Sequence, residues 1–366
     1  MPTMPALEGD AREGILLSFA QKAAPSMRLT ISDLAREAHV SVSTIDRILS
    51  GRGKVKPATV EHVLATAERI GFHAVGSIRS RRGIEAPARS FGFLLNDRSR
   101  LYYELMSQQI SREIAGLTSV QGRAIFSHIS GPCPERTAEA LLALGEKCDA
   151  IAAVCIDHPQ VNMAVEELHA RGIPVVAMLS DISSKHRRGF VGSNDWQLGR
   201  SAGWFVQRFC PQGGKVALMT GNPRYLCQQS HAASFRAFIQ GATGSGLSIL
   251  EAPSTDESDA RAQQVVTALL HEHPDLAAIM LAGGGLEGAA EALRSHDRPP
   301  LLIGTELTER TRSALVSGRI DMILSHPGEA IAREAVHAMV RLLEGGKSGA
   351  EVQTSLPFEI LIGENC

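Results

Sequence analysis

A chain of 366 residues is long enough for two or three domains, and its 44% hydrophobic and 21% charged residues exclude wholesale disorder. A formal net charge of −2 excludes a global field that would drive the whole molecule onto nucleic acid or membrane. Six cysteines, at 133, 148, 155, 210, 227 and 366, form no CxxC pair, so free thiols in a reducing compartment are expected. No apolar run approaches the roughly 20 residues of a membrane span. The short run Ile15–Ala20 follows Glu8, Asp10 and Glu13, not the positive leader of a secretory signal, so a cytoplasmic protein with no membrane partner is expected.

Residues 1–26 match no pattern and form an unassigned N-terminal extension. Beyond them the charge is unevenly spread. Residues 27–82 carry ten Lys/Arg against five Asp/Glu, whereas residues 83–366 carry 25 against 31. A small basic head on an acidic body points to phosphate contact, but a solvated basic face gives the same count, and patterning has to decide. Ile31, Leu34, Ala35 and Ala38 recur at helical spacing and predict a first helix that Thr30 or Ser32 caps. His39 and Val40 make a tight joint. Ser41 then caps a second helix with Ile45, Ile48 and Leu49 inward, which ends over residues 50–53. A third begins at Pro57, runs through Val60, Val63, Leu64 and Ala67, and stops at Gly71. Three short helices so joined describe a helix-turn-helix unit over residues 27–73.

The string Thr30-Ile31-x-Asp33-Leu34-Ala35-x-x-Ala38-x-Val40-Ser41-x-x-Thr44-Ile45-x-Arg47-Ile48-Leu49 resembles the head of the LacI (lactose-repressor) family of bacterial transcription regulators. That resemblance implies that the second helix enters the DNA major groove. Val42, Ser43 and Arg47 match positions that face base edges, with Arg47 forking onto guanine, Val42 meeting a thymine methyl and Ser43 serving either base type. Ser41 and Thr44 match phosphate-positioning sites. An ion pair of Arg47 with Asp46 or Glu37 is the bland alternative. Two departures stand out. His39 replaces the usual turn glycine, which requires a negative φ or tolerated strain, and Asp46 replaces a common serine. In the linker, residues 74–89, Ile78 is the residue able to wedge into the minor groove, while Gly76 weakens any hinge helix.

From residue 90 to 366, apolar runs alternate with amphipathic helical patterns. The runs are Phe91–Leu95, Ala150–Ile156, Pro174–Leu179, Phe190–Gly192, Lys215–Thr220, Leu276–Ala282, Leu301–Gly304 and Met322–Leu324. Repeated β-then-α order predicts an α/β body of parallel sheets with helices on both faces, which binds ligands at the carboxyl ends of its strands. The body resembles the two-lobed periplasmic-binding-protein-like sensor of the same family. By that resemblance, lobe one takes residues 90–190 and 327–346, lobe two takes 191–326 and 352–362, and three crossings join them. Polar residues at strand ends become ligand-binding candidates: Asn96, Asp97, Ser127, Asp157, Asp181, Asn194, Asp195, Glu306 and Ser325. Ordinary turns and caps explain any single one of these equally well. Gly284 and Gln229 join the set, Gln228 and Gln229 standing where relatives often carry a sugar-clamping arginine. Tyr102, Tyr103, Trp196 and Tyr225 are stacking candidates.

Two rivals remain. Gly283-Gly284-Gly285-Leu286-Glu287-Gly288 spells G-x-G-x-x-G after a strand-like run, with Glu306 eighteen residues further on, which would suit an NAD-linked oxidoreductase. Only 78 residues follow Gly288, and the head is left unexplained. A solute-binding protein without DNA function fits the body alone. His271-x-His273 lacks metal-ligand spacing, so neither metal nor cofactor is expected, nor is an enzyme. The sequence reading is a homodimeric repressor that binds double-stranded operator DNA and responds to a small carbohydrate-like effector.

Overall fold

The computed structural model describes residues 30–50, 55–70, 72, 86–97, 101–345 and 351–366. The N-terminal extension 1–26, the helix end at 51–53, Gly71 and most of the linker, including Gly76 and Ile78, lie outside the described residues. The chain divides into two compact units between Pro87 and Ala88.

The first unit contains α1 (Ile31–Glu37), α2 (Val42–Ser50) and α3 (Pro57–Arg69). Thr30 caps α1 through a reciprocal box. Asp33 N donates to Thr30 Oγ1 (3.2 Å) and Thr30 N donates to Asp33 Oδ2 (3.0 Å), so two orphan donors of the helix start are satisfied. Leu34, Ile45, Ile48, Val63 and Ala67 are fully buried and form one small core, closed by Phe72. Each such aliphatic side chain contributes about 1.5–3 kcal/mol, which matters in a unit this small. Ile31, expected inward, stays 37% exposed. His39 takes the strained alternative, with φ at 49° in the left-handed region.

The second unit has two six-stranded sheets. The first runs in the order β11-β5-β4-β3-β1-β2, from β1 (Ala88–Asn96), β2 (Gln121–Ile129), β3 (Ala150–Ala153), β4 (Val175–Met178), β5 (Gly189–Ser193) and β11 (Val352–Leu356), and is parallel throughout. Helices α4 (Leu101–Ala115), α5 (Pro134–Gly145), α6 (Pro159–Ala170) and α12 (Gly328–Gly345) complete this lobe. The second sheet has the order β12-β10-β9-β8-β6-β7. Its strands are β6 (Gly214–Thr220), β7 (Leu247–Glu251), β8 (Leu276–Ala282), β9 (Leu301–Gly304), β10 (Met322–Ser325) and an antiparallel β12 (Glu359–Leu361). Its helices are α7 (Asp195–Phe209), α8 (Leu226–Gly241), α9 (Asp259–Glu272), α10 (Leu286–Ala292) and α11 (Glu309–Val316). The near-continuous apolar strands β3, β4 and β8 are buried, as both-face coverage of a parallel sheet requires.

The chain crosses between lobes after β5, after β10 and after β11. The stretch 352–362, expected wholly in lobe two, is divided. Val352–Leu356 pairs in parallel with β5 of the first sheet, and only Glu359–Leu361 adds to the second. The strand at 189–193, expected to open lobe two, likewise belongs to the first sheet. The residues between β11 and β12 turn the chain from one sheet edge to the other.

Candidate functional site

On the first unit, the joint between α1 and α2 leaves the start of α2 exposed. Ser41 caps that helix, accepting from Thr44 N at 3.2 Å, and its Oγ also lies 2.9 Å from Ser43 Oγ and 2.8 Å from Thr44 Oγ1. Val42 is 49% exposed, an uncompensated apolar group on a polar face. Ser43 and Arg47 are both exposed and share a face at i, i+4. The Arg47 guanidinium donates from Nε to Ser43 O (3.2 Å). Glu37, one of its two candidate ion-pair partners, is taken by Arg69 (3.2 Å). Asp46 stands exposed on the same helix. Ser41, Val42, Ser43, Thr44 and Arg47 are thus brought together at one helix start.

The second unit holds a cleft between its lobes. Most of its wall comes from residues just past strand carboxyl ends, including Leu179 and Ser180 after β4, Gly283 and Gly284 after β8, and Thr305 and Glu306 after β9. Tyr102 and Tyr103 supply aromatic surface from α4, their rings edge-to-face at 5.2 Å. Tyr225 precedes α8 in lobe two, yet its ring packs into the lobe-one core, and its hydroxyl donates to Asn96 Oδ1 at 2.9 Å. Asn96 Nδ2 donates in turn to the Tyr103 hydroxyl at 3.0 Å. Burial pushes the Tyr225 hydroxyl far above the usual phenol range, so it stays a donor. Two further bonds join the lobes here, from Asp157 N to Arg224 O (2.9 Å) and from Cys227 N to Ser180 Oγ (3.4 Å).

Glu257 reaches the cleft from a loop in which Asp256 (φ 50°) and Glu257 (φ 62°) are both left-handed. Such strain in non-glycine residues costs about 1–3 kcal/mol each and concentrates at functional sites. Its carboxylate accepts from Gln228 Nε2 (2.7 Å) and from Gly284 N (3.2 Å). Gln228 Oε1 meanwhile accepts from Asn222 N (2.7 Å), so the glutamine is fixed in orientation. Burial holds the His326 imidazole down at about 4, which keeps the ring neutral.

The expected ligand residues are distributed unevenly. Tyr102, Gly284 and Glu306 line the cleft, Asn96 and Asp97 line an adjoining opening, and Ser325 lines another beside His326. Asp181 instead pairs with Arg187 (2.7 Å), which also meets Glu351. Asp157 is engaged as a loop anchor, accepting from Ser183 N and Ser183 Oγ, each at 2.9 Å. Asn194 caps α7 through Gln197 N (3.0 Å). Gln229 is exposed and donates to Pro223 O, so Gln228 takes the cleft position. Asp195 bonds His231 behind the wall, and Ser127 stays within β2. Trp196 is 51% exposed on α7, and no described pocket includes it.

The glycine loop 283–285 does join β8 to α10, as a dinucleotide loop would. However, Gly284 N donates to Glu257, and Gly288 N donates to Asp259 Oδ1 (3.1 Å). Two carboxylates therefore sit where a pyrophosphate would need cations and open N–H groups. Gly288 is required for close packing, since a Cβ there would strike the Asp259 backbone.

Sequence reasoning missed Glu257, His231 and Cys227. Glu257 was accessible to the strand-end rule, but β7 before it went unread. His231 and Cys227 lie on the buried face of α8, where helical spacing says only that they face inward.

Together, an exposed helix-turn-helix head and a two-lobed body with a polar cleft define a ligand-sensing DNA-binding class of protein. The pattern described as "Periplasmic binding protein domain" matches residues 136–348, more than half of the chain, and "Bacterial regulatory proteins, lacI family" matches residues 30–74. The chain belongs to the periplasmic-binding-protein domain family and carries a lacI-family helix-turn-helix domain in front of it. It is 27% identical to catabolite control protein A of Priestia megaterium over 61% of this chain and 64% of that protein. The chain thus spans somewhat less than two thirds of that relative. It is also 27% identical to the maltose regulon regulatory protein MalI of Escherichia coli, over 70% of this chain and 72% of the relative. In fold it is similar to GanP, a glucose-galactose binding protein from Geobacillus stearothermophilus, at a TM-score of 0.67 and 19% identity over 75% of this chain and 98% of that one.

Proposed function

We propose that this protein is a sequence-specific transcription regulator, acting as a repressor, whose affinity for operator DNA is set by a small carbohydrate-like effector held between the two lobes. The observation that carries this reading is a single chain in which an exposed helix start presents Val42, Ser43 and Arg47, and a separate unit presents a polar cleft. Relatives named as regulators of maltose and catabolite control support the first half, and a neighbour named for glucose and galactose supports the second. One head of this size reaches few base pairs, so a cytoplasmic homodimer on a palindromic duplex is part of the proposal. Effector binding closes the lobes, and the coupling arises from differential affinity for two states.

The test has two steps. Duplexes are first selected from a random library by the full-length protein. A thermal-shift panel of sugars, polyols, sugar acids and sugar phosphates then identifies a stabilising ligand. That ligand should change affinity for the selected duplex by about 5- to 150-fold, the range of ordinary allosteric coupling. Failure to enrich any duplex, or affinity indifferent to every stabilising ligand, refutes the reading.

A further inference from the structure

Asp195, His231 and His326 come from three distant points of the chain and converge at the cleft wall, which both histidines line. Each offers one ligand atom, and these atoms lie within 4.8 Å of one another. Asp195 opens α7 immediately after one lobe crossing, His231 sits on α8, and His326 stands at the return crossing after β10. Their spacing in sequence gave no sign of this meeting. We propose that they form a binding site for a divalent first-row transition ion of the zinc type, with three protein ligands and a further coordination position open to the cleft.

Three features of the cluster support the assignment. Two imidazoles and a carboxylate are a donor set suited to zinc, cobalt or nickel and unsuited to calcium or magnesium. At metal–ligand distances of about 2.0–2.2 Å, neighbouring ligand atoms in a tetrahedral site lie about 3.4 Å apart. His231 Nε2 is already 3.0 Å from Asp195 Oδ1, and the widest pair needs to close by roughly 1.4 Å. Second, His326 is anchored through Nδ1, 3.0 Å from Ser193 Oγ, which leaves Nε2 for an ion in the outer-contact arrangement typical of metal-binding histidines. Third, the carboxylate is only 14% exposed and the His231 side chain 1%, so a dication there would be shielded from water.

With an ion on His231 Nε2, the neutral ring carries its single proton on Nδ1, and the Asp195 carboxylate turns from the imidazole to the ion. Because His231 and His326 both line the cleft, the open position faces the space assigned to the effector. The site stands on its own geometry, so its failure would leave the regulatory reading intact.

The experiment uses the full-length protein, stripped with a chelator and desalted, then titrated with Co²⁺ and competed with Zn²⁺. One tight equivalent is expected, with the visible absorption of a low-coordinate nitrogen and oxygen site and no thiolate charge-transfer band. His326→Ala and Asp195→Asn should each weaken binding by more than about 100-fold, beyond the loss usual for an outer contact. His186→Ala, in a separate histidine pair with His169, should not weaken it. X-ray absorption of the zinc-loaded wild-type protein provides a readout independent of variant folding, and should give two imidazoles and oxygen without sulfur. No stoichiometric binding at micromolar metal, sulfur in the shell, or affinity undiminished in both variants overturns the proposal.

Discussion

Replacing Arg47 by alanine separates base reading from charge. The guanidinium is exposed and donates to Ser43 one turn earlier, from Nε to the carbonyl (3.2 Å) and from a terminal nitrogen to Oγ (3.5 Å), while Glu37 is engaged by Arg69. Reaching a base edge therefore breaks two weak exposed contacts with Ser43 and no ion pair with Glu37. A forked bond to guanine is worth about 1–3 kcal/mol of discrimination, or about 5- to 150-fold in affinity. Folding stability should change by no more than about 0.5 kcal/mol, because the side chain is outside the Leu34–Ile45–Ile48 core. Fluorescence anisotropy on the selected duplex and on a scrambled duplex, each at several salt concentrations, measures both quantities. Loss confined to the selected duplex, with the salt slope little changed, is the expected result. An equal loss on both duplexes, with the slope reduced by about 1, would identify a phosphate contact and refute the base-reading role.

Three further outcomes follow from the geometry. His39→Gly should stabilise the head by up to about 1 kcal/mol, since left-handed backbone costs a side-chain-bearing residue about 1–2 kcal/mol and glycine returns part of that as unfolded-state entropy. A loss of stability in chemical denaturation would show that the imidazole makes a compensating contact. Tyr225→Phe deletes the donor to Asn96 and leaves a buried oxygen unpaired, at about 1–3 kcal/mol. Small-angle scattering should then record a larger radius for the ligand-free protein; an unchanged curve argues that the bond does not hold the lobes. Burial raises Cys148 to about 11 and Cys155 to about 12, so at pH 8 both thiols should resist alkylation until the protein unfolds. Rapid labelling of Cys155 in the native state would contradict its full burial.

The head was legible because its signals are local: helical spacing, a capping box and a serine cap act within four residues of one another. The body was legible only in its interior. The strands that sequence reading missed or placed in the wrong lobe are β2, β7 and β11, three of the four sheet edges, together with β5 beside β11. An edge strand has one neighbour and solvent on the other side, so it carries no continuous apolar run; β2 and β7 alternate partly exposed residues along their length. Missing β7 hid the loop after it, and with it Glu257. The strand-end rule also could not foresee the partner of Asp181, since Arg187 six residues later pairs with the carboxylate only in the folded loop.

The cleft and the closure of the lobes share residues. Three of the bonds that join the lobes at the cleft involve residues 224–227, through Tyr225, Arg224 and Cys227. Three hydrogen bonds at about 0.5–1.5 kcal/mol each, with one buried aromatic ring at about 1.5–3 kcal/mol, give the latch about 3–7.5 kcal/mol. Moving a two-state protein from almost wholly open to almost wholly closed takes about 5.5 kcal/mol. The latch energy already belongs to the balance of the ligand-free protein, so a ligand that touches Tyr225, Cys227 or Gln228 shifts the lobes by what it adds to the closed arrangement over the open one. An effector that bound elsewhere on either lobe, with equal affinity for both arrangements, would shift nothing however tightly it bound. The short polar segment between β6 and α8 is thus where occupancy of the cleft can be converted into a change of lobe arrangement.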